Sequence, residues 1–193
     1  LSFTQERLWL LDQIGVGSAY KTARAMRVKG PLDVGALDRS LRQIVRRHET
    51  LRTSFPVVDG QPVQRIADKV DASLVVIDLS DLDPDVIPAE IGRRADEEAW
   101  RSFDLARGPL LQMQLLRLGD DDHVLLLTMH HIVSDGWSME VLWRELNALC
   151  NRYAHTLRAL GLQRGAEPGA ERGGVDQLGQ PQNGRQNVVE VVG

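Results

Sequence analysis

The chain has 193 residues, of which 42% are hydrophobic and 26% are charged, and its formal net charge at pH 7 is -4. These values are typical of one domain with a well-filled core, and they offer no electrostatic basis for binding nucleic acid or an anionic membrane. The single cysteine, Cys150, excludes an internal disulfide, and without a long apolar stretch or a signal-peptide pattern the sequence indicates a cytoplasmic protein.

Helical and extended patterns alternate in the first part of the chain. Ser2 and Gln5 have the spacing of a capping box, which predicts that a helix begins there. Residues 23–28 favour a strand, and residues 33–47 carry apolar side chains at helical spacing. Residues 51–66 favour a β-hairpin whose turn contains an Asp-Gly pair, because this dipeptide adopts the positive φ angles of tight turns. The order of these elements is typical of an α/β domain.

Four polar residues cluster where the predicted helix meets this hairpin: Arg47, His48, Glu49 and Arg52. Side chains of this kind form hydrogen-bond networks, so we expect them to fix the helix to the strand that follows. His48 could instead act as a second base, because imidazole exchanges protons near neutral pH. The structural role is the one that the sequence favours.

The second part of the chain continues the alternation. Residues 74–79 favour a strand, and residues 83–102 favour a helix whose start is left open by Pro88. Residues 110–118 and 123–130 are predicted strands joined by a short polar turn. The second of these strands is rich in branched and apolar residues, which predicts burial on both of its faces.

The strongest chemical signal follows that strand. His130 and His131 are adjacent where it ends, and because side chains alternate along a strand, we expect one ring to pack and the other to face open space. His131 is the candidate catalytic residue, since a positioned imidazole can accept and return a proton. Asp135 is expected to hold the following turn, and Gly136 to allow it through a backbone angle that other residues resist.

The histidine pair has two other interpretations. A buried, hydrogen-bonded structural pair is as common at a strand end as a catalytic one. A metal site is disfavoured, because adjacent histidines on a strand diverge and the chain lacks two histidines four residues apart on a helix.

A last helix is predicted after the histidines. Its apolar side is formed by Met139, Leu142, Trp143, Leu146, Leu149 and Cys150. Trp137 and Trp143 are expected to pack against the sheet. Cys150 lies within the apolar stripe, which favours a packing role over that of a catalytic thiol.

Three segments, in this order and at these separations, resemble the first three signature motifs of condensation domains of nonribosomal peptide synthetases. They are residues 1–11 (LSFTQERLWLL), residues 47–55 (RHETLRTSF) and residues 130–136 (HHIVSDG). The His-x-x-x-Asp pattern is shared with the wider superfamily that resembles chloramphenicol acetyltransferase. The other two segments narrow the resemblance to the peptide-synthetase branch.

The resemblance implies an α/β fold, a two-layer sandwich like the amino-terminal subdomain of chloramphenicol acetyltransferase-like proteins. Residues 1–160 would form the amino-terminal half of a condensation domain, and the motifs of the second half are not visible in the sequence. In the family the active histidine faces a tunnel between the two halves. We therefore expect a fragment that is inactive by itself.

The resemblance also implies a reaction and its partners. An intact condensation domain forms an amide bond when an acceptor amine attacks a donor thioester, with both substrates tethered to phosphopantetheine arms of peptidyl carrier proteins. The chain itself would bind no cofactor, and its partners would be donor and acceptor carriers and an adjacent adenylation domain.

The family assigns roles within the third motif. His131 would act as general base, or would orient the amine and stabilise the tetrahedral intermediate. His130, Asp135 and Gly136 would support it, while Arg47, His48, Glu49 and Arg52 would belong to the scaffold. In the family the aspartate pairs with an arginine from the second half, so its partner in this chain is open.

Two alternative functions follow from the same motifs. An epimerisation domain shares the HHxxxDG pattern, although residues 47–55 look more like those of a condensation domain. A catalytically dead module that docks carrier proteins would bind them without transforming their cargo. A heterocyclising relative is disfavoured, because aspartates replace the histidine pair in that branch.

Residues 161–193 depart from the family pattern. They are rich in Gly, Gln and Arg, contain no aromatic residue and show no sustained periodicity before a short run of valines near the end. This composition predicts a disordered tail. A shift of reading frame near residues 155–160 is our hypothesis for its origin, and a functional linker is the alternative.

Overall fold

The structure is a computed structural model that describes residues 1–15, 17–159 and 188–192. The helices in this part are α1 (Phe3–Gln13), α2 (Val34–Arg47), α3 (Ile87–Trp100) and α4 (Gly136–Ala159). The strands are β1 (Lys21–Lys29), β2 (Thr53–Ser54), β3 (Val57–Val58), β4 (Gln61–Pro62), β5 (Arg65–Ile66), β6 (Val75–Asp78), β7 (Leu111–Gly119), β8 (Asp122–His130) and β9 (Val188–Val192). The predicted alternation of helices and strands is confirmed.

The helix starts follow from their capping residues. At α1, the Ser2 side chain accepts a hydrogen bond from the backbone of Gln5, and the Gln5 side chain accepts one from the backbone of Ser2, so the predicted capping box is confirmed. At α2, the Asp33 carboxylate accepts from a backbone N–H of the first turn at 2.7 Å. In α3, Pro88 lies within the first turn, which settles the start that the sequence left open.

Five of the described strands form one sheet in the order β6-β7-β8-β1-β9. Strand β8 pairs antiparallel with both β1 and β7, while β6 joins β7 in parallel. The register places Lys21 of β1 opposite His130 of β8, so the beginning of β1 lies beside the histidine pair. A smaller hairpin turns at Asp59 and Gly60, which both have positive φ angles, as predicted for this dipeptide.

Helices cover both faces of the sheet. Apolar residues of α2 and α4 pack on one face of β7 and β8, in a cluster that includes Leu37, Leu41, Ile44, Leu115, Leu125, Leu127, Met139, Leu142, Leu146 and Leu149. A second cluster joins α3 to the other face through Ala25, Leu79, Ala95, Leu116, Val124 and Leu126. Every residue from His123 to His130 is buried, so the predicted burial of this strand on both faces is confirmed.

The carboxyl-terminal segment is described only in part. Residues 188–192 form strand β9, parallel to β1, at the run of valines that interrupts the predicted disordered tail. Residues 160–187 and 193 lie outside the described residues, so the predictions of a disordered tail and of a shifted reading frame stay predictions. Among the described residues, no helix combines the length and the apolar character that crossing a membrane requires.

Candidate active site

The two adjacent histidines at the end of β8 occupy different environments. His130 is only 1% exposed, and its ring lies nearly perpendicular to that of Phe103, with 6.1 Å between the ring centroids. His131 is half-buried and lines a cleft of about 540 Å³. The divergence predicted from strand geometry is therefore confirmed, with His131 as the residue that faces open space.

Hydrogen bonds to the backbone and to both ring nitrogens hold His131. Its backbone N–H donates to the carbonyl oxygen of Tyr20 at 2.9 Å, which ties it to the residue just before β1. Its ring nitrogen Nδ1 lies 3.3 Å from the carbonyl oxygen of Ser134, and Nε2 lies 3.3 Å from the hydroxyl oxygen of Thr22. The ring is thus contacted from two sides, by the turn that follows the strand and by the neighbouring strand.

The Ser134 contact selects one tautomer of the ring. A carbonyl oxygen can only accept a hydrogen bond, so Nδ1 must carry the proton when this bond is made. In the neutral imidazole the other nitrogen, Nε2, then holds a free electron pair and accepts a hydrogen bond from the Thr22 hydroxyl. His131 is thereby arranged to take up a proton at Nε2.

His130 is arranged to stay neutral. Its Nδ1 accepts a hydrogen bond from the backbone N–H of Ile132 at 3.1 Å, and its buried Nε2 has no hydrogen-bond partner within the described part of the chain. Loss of solvent around the ring, followed by the positive charges of His131 and Lys21, lowers the pKa of His130 to about 4. A neutral, buried imidazole fits the supporting role expected for this residue.

Asp135 caps the helix that follows the histidines. Its carboxylate accepts from the backbone N–H of Ser138 at 2.8 Å, and its own backbone N–H donates to the Ser138 hydroxyl at 2.7 Å. These hydrogen bonds with Ser138 are the main reason that the pKa of the Asp135 carboxyl is lowered. The expected contact with backbone amides is present, and the carboxylate secures the first turn of α4.

Gly136 differs from the expectation. It is the first residue of α4, and its φ angle lies outside the left-handed region that favours glycine. Apart from the helix's own backbone, nothing lies within 4 Å of the place where a Cβ atom would stand. The turn therefore does not depend on a backbone angle that only glycine adopts, because the helix begins directly after the capping residue.

Arg47 and His48 contact a different element from the one expected, helix α4 and not the strand that follows α2. Arg47 Nη1 and His48 Nε2 lie 2.9 Å and 3.1 Å from the same carboxylate oxygen of Glu145. Burial raises the pKa of Glu145, but the hydrogen bond with His48 and the charges of His48 and Arg47 outweigh it, so the pKa is lowered. This part of the cluster joins α2 to α4, not to the following strand.

The other two members of that cluster act on the hairpin. The carbonyl oxygen of Glu49 accepts from the Thr53 hydroxyl at 2.8 Å, and Arg52 donates to the carbonyl oxygen of Ala67. The prediction of one network from helix to strand is thus corrected to two separate groups of contacts. His48 also lines the cleft of His131, although the sequence separates these residues widely.

Sequence reasoning missed two contributors to the site and misplaced a third residue. Thr22 and Ser134 contact the two ring nitrogens of His131, yet neither stands out in the sequence, since a threonine in a strand and a serine in a turn are ordinary. The expectation that Trp137 packs against the sheet is wrong, because this side chain is 70% exposed and lines the cleft. Trp143 does pack against the main core.

The site has no arrangement suited to a metal ion among the described residues. Within that part of the chain, no three His, Cys, Asp or Glu side chains converge closely enough to hold one. His130 also turns away from His131 into the packed interior. The imidazole-bearing His131 and the polar residues around it, including His48, Ser134 and Asp135, line the cleft.

Comparison with protein families gives a match to the condensation domain over residues 1–161. A linear gramicidin synthase polypeptide from Brevibacillus parabrevis is 46% identical over 147 residues, which are 76% of this chain and 2% of that protein. The phosphinothricin tripeptide synthetase PhsB from Streptomyces viridochromogenes is 46% identical over 157 residues, 81% of this chain and 13% of that protein. The chain thus spans a small share of the curated relatives it matches.

Solved structures show the same likeness. The starter condensation domain of rhizomide synthetase RzmA superposes with a TM-score of 0.71 at 25% identity, over 80% of this chain and 37% of that one. The first condensation domain of the calcium-dependent antibiotic synthetase, in complex with a substrate analogue, gives a TM-score of 0.66 at 31% identity, over 76% of this chain and 35% of that one. The described fold corresponds to roughly a third of each solved chain.

Proposed function

This chain belongs to the condensation domain family of nonribosomal peptide synthetases, and we propose that it supplies the histidine-bearing half of a domain that forms amide bonds. One observation carries the proposal most directly. His131 lines a cleft of about 540 Å³ and holds its proton on Nδ1 through Ser134, so its Nε2 is a proton acceptor. This is the group that an attacking amine requires.

The proposed reaction joins an acceptor amine to a donor thioester. The amine nitrogen forms a bond to the thioester carbonyl carbon, the carbon–sulfur bond of the tetrahedral intermediate then breaks, and the proton that the nitrogen loses is passed to the departing sulfur, which leaves as a thiol. His131 serves as general base for that proton, or it orients the amine and stabilises the intermediate. The reaction needs no nucleophile from the protein, which accords with a cleft in which His131 is the leading candidate.

The partners follow from the tethered substrates. We propose that donor and acceptor peptidyl carrier proteins deliver their phosphopantetheine arms to this site, next to an adenylation domain, in the cytoplasm. The chain itself holds no cofactor in this proposal. Holding two tethered reactants together would supply much of the rate, since an intramolecular arrangement replaces a bimolecular encounter.

The chain alone is proposed to be inactive. The solved condensation domains that it matches extend well beyond the matched third, and the likeness covers 37% and 35% of their chains. A cleft formed by one half is open on the side where the second half would close it. Activity would therefore need the remainder of the domain.

A single-turnover assay tests this proposal. Donor- and acceptor-loaded carriers are mixed with the chain, with the chain completed by a second half from a family member, and with the completed His131→Ala variant. We expect product from the completed form alone, reduced about 10² to 10⁴-fold by His131→Ala. Because the substrates are not known, the carriers are loaded with a panel of different aminoacyl groups.

The control is His48→Ala, because His48 lines the same cleft but bonds to Glu145. Loss of product with His48→Ala and not with His131→Ala would show that His48, and not His131, is the base. No product from a folded completed domain with any carrier pair would favour a module that docks carriers. Inversion of the donor α-carbon without amide formation would identify an epimerisation domain.

A further inference from the structure

On the basis of the function proposed above, we propose that Thr22 is a positioning residue of the site, whose hydroxyl fixes the orientation of the His131 ring through its contact with Nε2. The Thr22 hydroxyl oxygen lies 3.3 Å from Nε2, the nitrogen assigned to accept a proton. Thr22 is only 8% exposed and is not among the residues that line the cleft in the described part of the chain. Its effect on a substrate would therefore pass through His131.

The topology explains how a residue so distant in sequence reaches the ring. Strand β1 runs antiparallel to β8, and the register places Thr22 opposite Met129, two residues before His131. The backbone bond from His131 to Tyr20 extends this pairing past the end of β8. The hydroxyl of Thr22 therefore meets the ring on one side while the Ser134 carbonyl holds it on the other.

A hydroxyl suits both protonation states of the ring. While Nε2 carries no proton, the Thr22 O–H donates to its one electron pair, and the hydroxyl rotates away when a proton arrives there; the same oxygen then accepts a hydrogen bond from the new N–H. A methyl group in that place can do neither. Because threonine is branched at Cβ and its side chain is stiff on a strand, the direction of the hydroxyl is also fixed.

The first experiment observes the ring directly. Spectra of the chain with ¹⁵N-labelled histidine are compared for the unmodified protein, Thr22→Val, Thr22→Ser and Thr53→Val, with His131 assigned by the resonances that His131→Ala removes. Thr53 is a matched control, because it is 7% exposed and its hydroxyl bonds to a carbonyl of its own segment. The backbone amide spectrum of each variant reports whether it is folded.

We expect the Nε2 resonance of His131 to move in Thr22→Val, to return toward its original position in Thr22→Ser, and to stay in place in Thr53→Val. An unmoved Nε2 resonance in folded Thr22→Val would overturn the proposal, since the contact would then be absent in solution. If the isolated chain gives no folded spectrum, the completed domain is used for the same comparison.

The second experiment measures the reaction in the completed domain. We expect Thr22→Val to lower kcat on the order of tenfold to a hundredfold with little change in KM for either carrier, and Thr22→Ser to regain most of it. An unchanged kcat in folded Thr22→Val, despite a moved Nε2 resonance, would overturn the positioning role. Absence of product from the unmodified completed domain would instead count against the proposed function, and the spectra would still test the contact.

Discussion

His130 and His131 show how one residue of separation in a strand decides chemical character. Both are histidines at the end of β8, but the ring of His130 enters the packed region around Phe103, while the ring of His131 lines the cleft. Burial removes the solvent that would stabilise a charged ring, so the pKa of His130 falls to about 4. The environment, not the residue type, separates the supporting histidine from the candidate base.

The lowered pKa of His130 predicts a pH dependence of stability. Its pKa in the folded state, about 4, lies below the ordinary 6.5, so between these values the unfolded chain binds more protons than the folded one. The free energy of unfolding should therefore rise with pH across this window and fall on acidification, by about 3 kcal/mol in full from this group. Urea unfolding at pH 7, 6, 5 and 4 measures this change.

His130→Phe serves as the comparison variant, because it keeps a ring in the same packed space and cannot titrate. Other groups, including the buried His123, whose pKa is also lowered, contribute equally to both proteins. The variant should lose less stability on acidification than the parent. Parallel curves for parent and variant would show that His130 does not titrate as described.

Among the individual elements, α4 connects the site to the core. Its first turn is held by Asp135 and Ser138, and its apolar side packs with α2 on the sheet. Glu145, further along the same helix, binds Arg47 and His48 at the end of α2. The helix thus fixes both the turn behind His131 and the wall of the cleft that contains His48.

Asp135→Ala should destabilise the protein by about 1 kcal/mol, because the first turn of α4 loses the carboxylate that accepts from Ser138. Gly136→Ala is the matched control one residue away. It should cause no loss, since its φ angle is outside the left-handed region and an added Cβ meets nothing within 4 Å beyond the helix backbone. Chemical unfolding of the two variants gives both values, and a greater loss in Gly136→Ala would contradict this description of the turn.

The Glu145 contacts should orient α2 and α4 more than they stabilise them. The side chain of Glu145 is 22% exposed, whereas those of Arg47 and His48 are 49% and 37% exposed, so solvent screens the ion pair with Arg47 and competes for the hydrogen bond with His48. A double-mutant cycle with Arg47→Met and Glu145→Gln should yield a coupling free energy of about 0.5 kcal/mol. That coupling should shrink in 1 M salt. A coupling above about 2 kcal/mol, insensitive to salt, would mean that the pair is more buried than described.

In the molecule as a whole, the central position of β8 places the site. Strands β1 and β7 flank it, and helices cover both of its faces, so its end is held rigidly against neighbours on every side. Leu127 of β8 is fully buried in the cluster shared with α2 and α4. A loss of packing at this point should affect the entire fold.

Leu127→Ala should lower the free energy of unfolding by about 2 to 5 kcal/mol, through lost burial and the cavity that remains. Leu10→Ala is the control of the same chemistry, because Leu10 is 57% exposed on α1 and should cost well under about 1 kcal/mol. Chemical unfolding measured by circular dichroism compares the two. Equal losses would show that the sheet and the helices do not share the cluster described here.

Local structure could be predicted from the order of residues alone. The capping box at Ser2 and the Asp-Gly turn at residue 59 depend on hydrogen bonds and φ preferences within a few residues, so they can be predicted from the sequence. The alternation of side chains in a strand likewise predicted that His130 and His131 would diverge. The three motifs identified the family for the same reason, since each of them is one continuous stretch of sequence.

The meeting of distant groups, in contrast, depends on the folded arrangement. Thr22 reaches Nε2 of His131 across 109 residues of sequence because β1 pairs with β8, and Glu145 captures Arg47 and His48 because α4 packs beside α2. The exposure of the Trp137 side chain could not be predicted from the sequence either, since it depends on how the first turn of α4 leaves the sheet. These contacts depend on strand register and helix packing, which are set by the summed burial of many side chains and leave no signal at any single position.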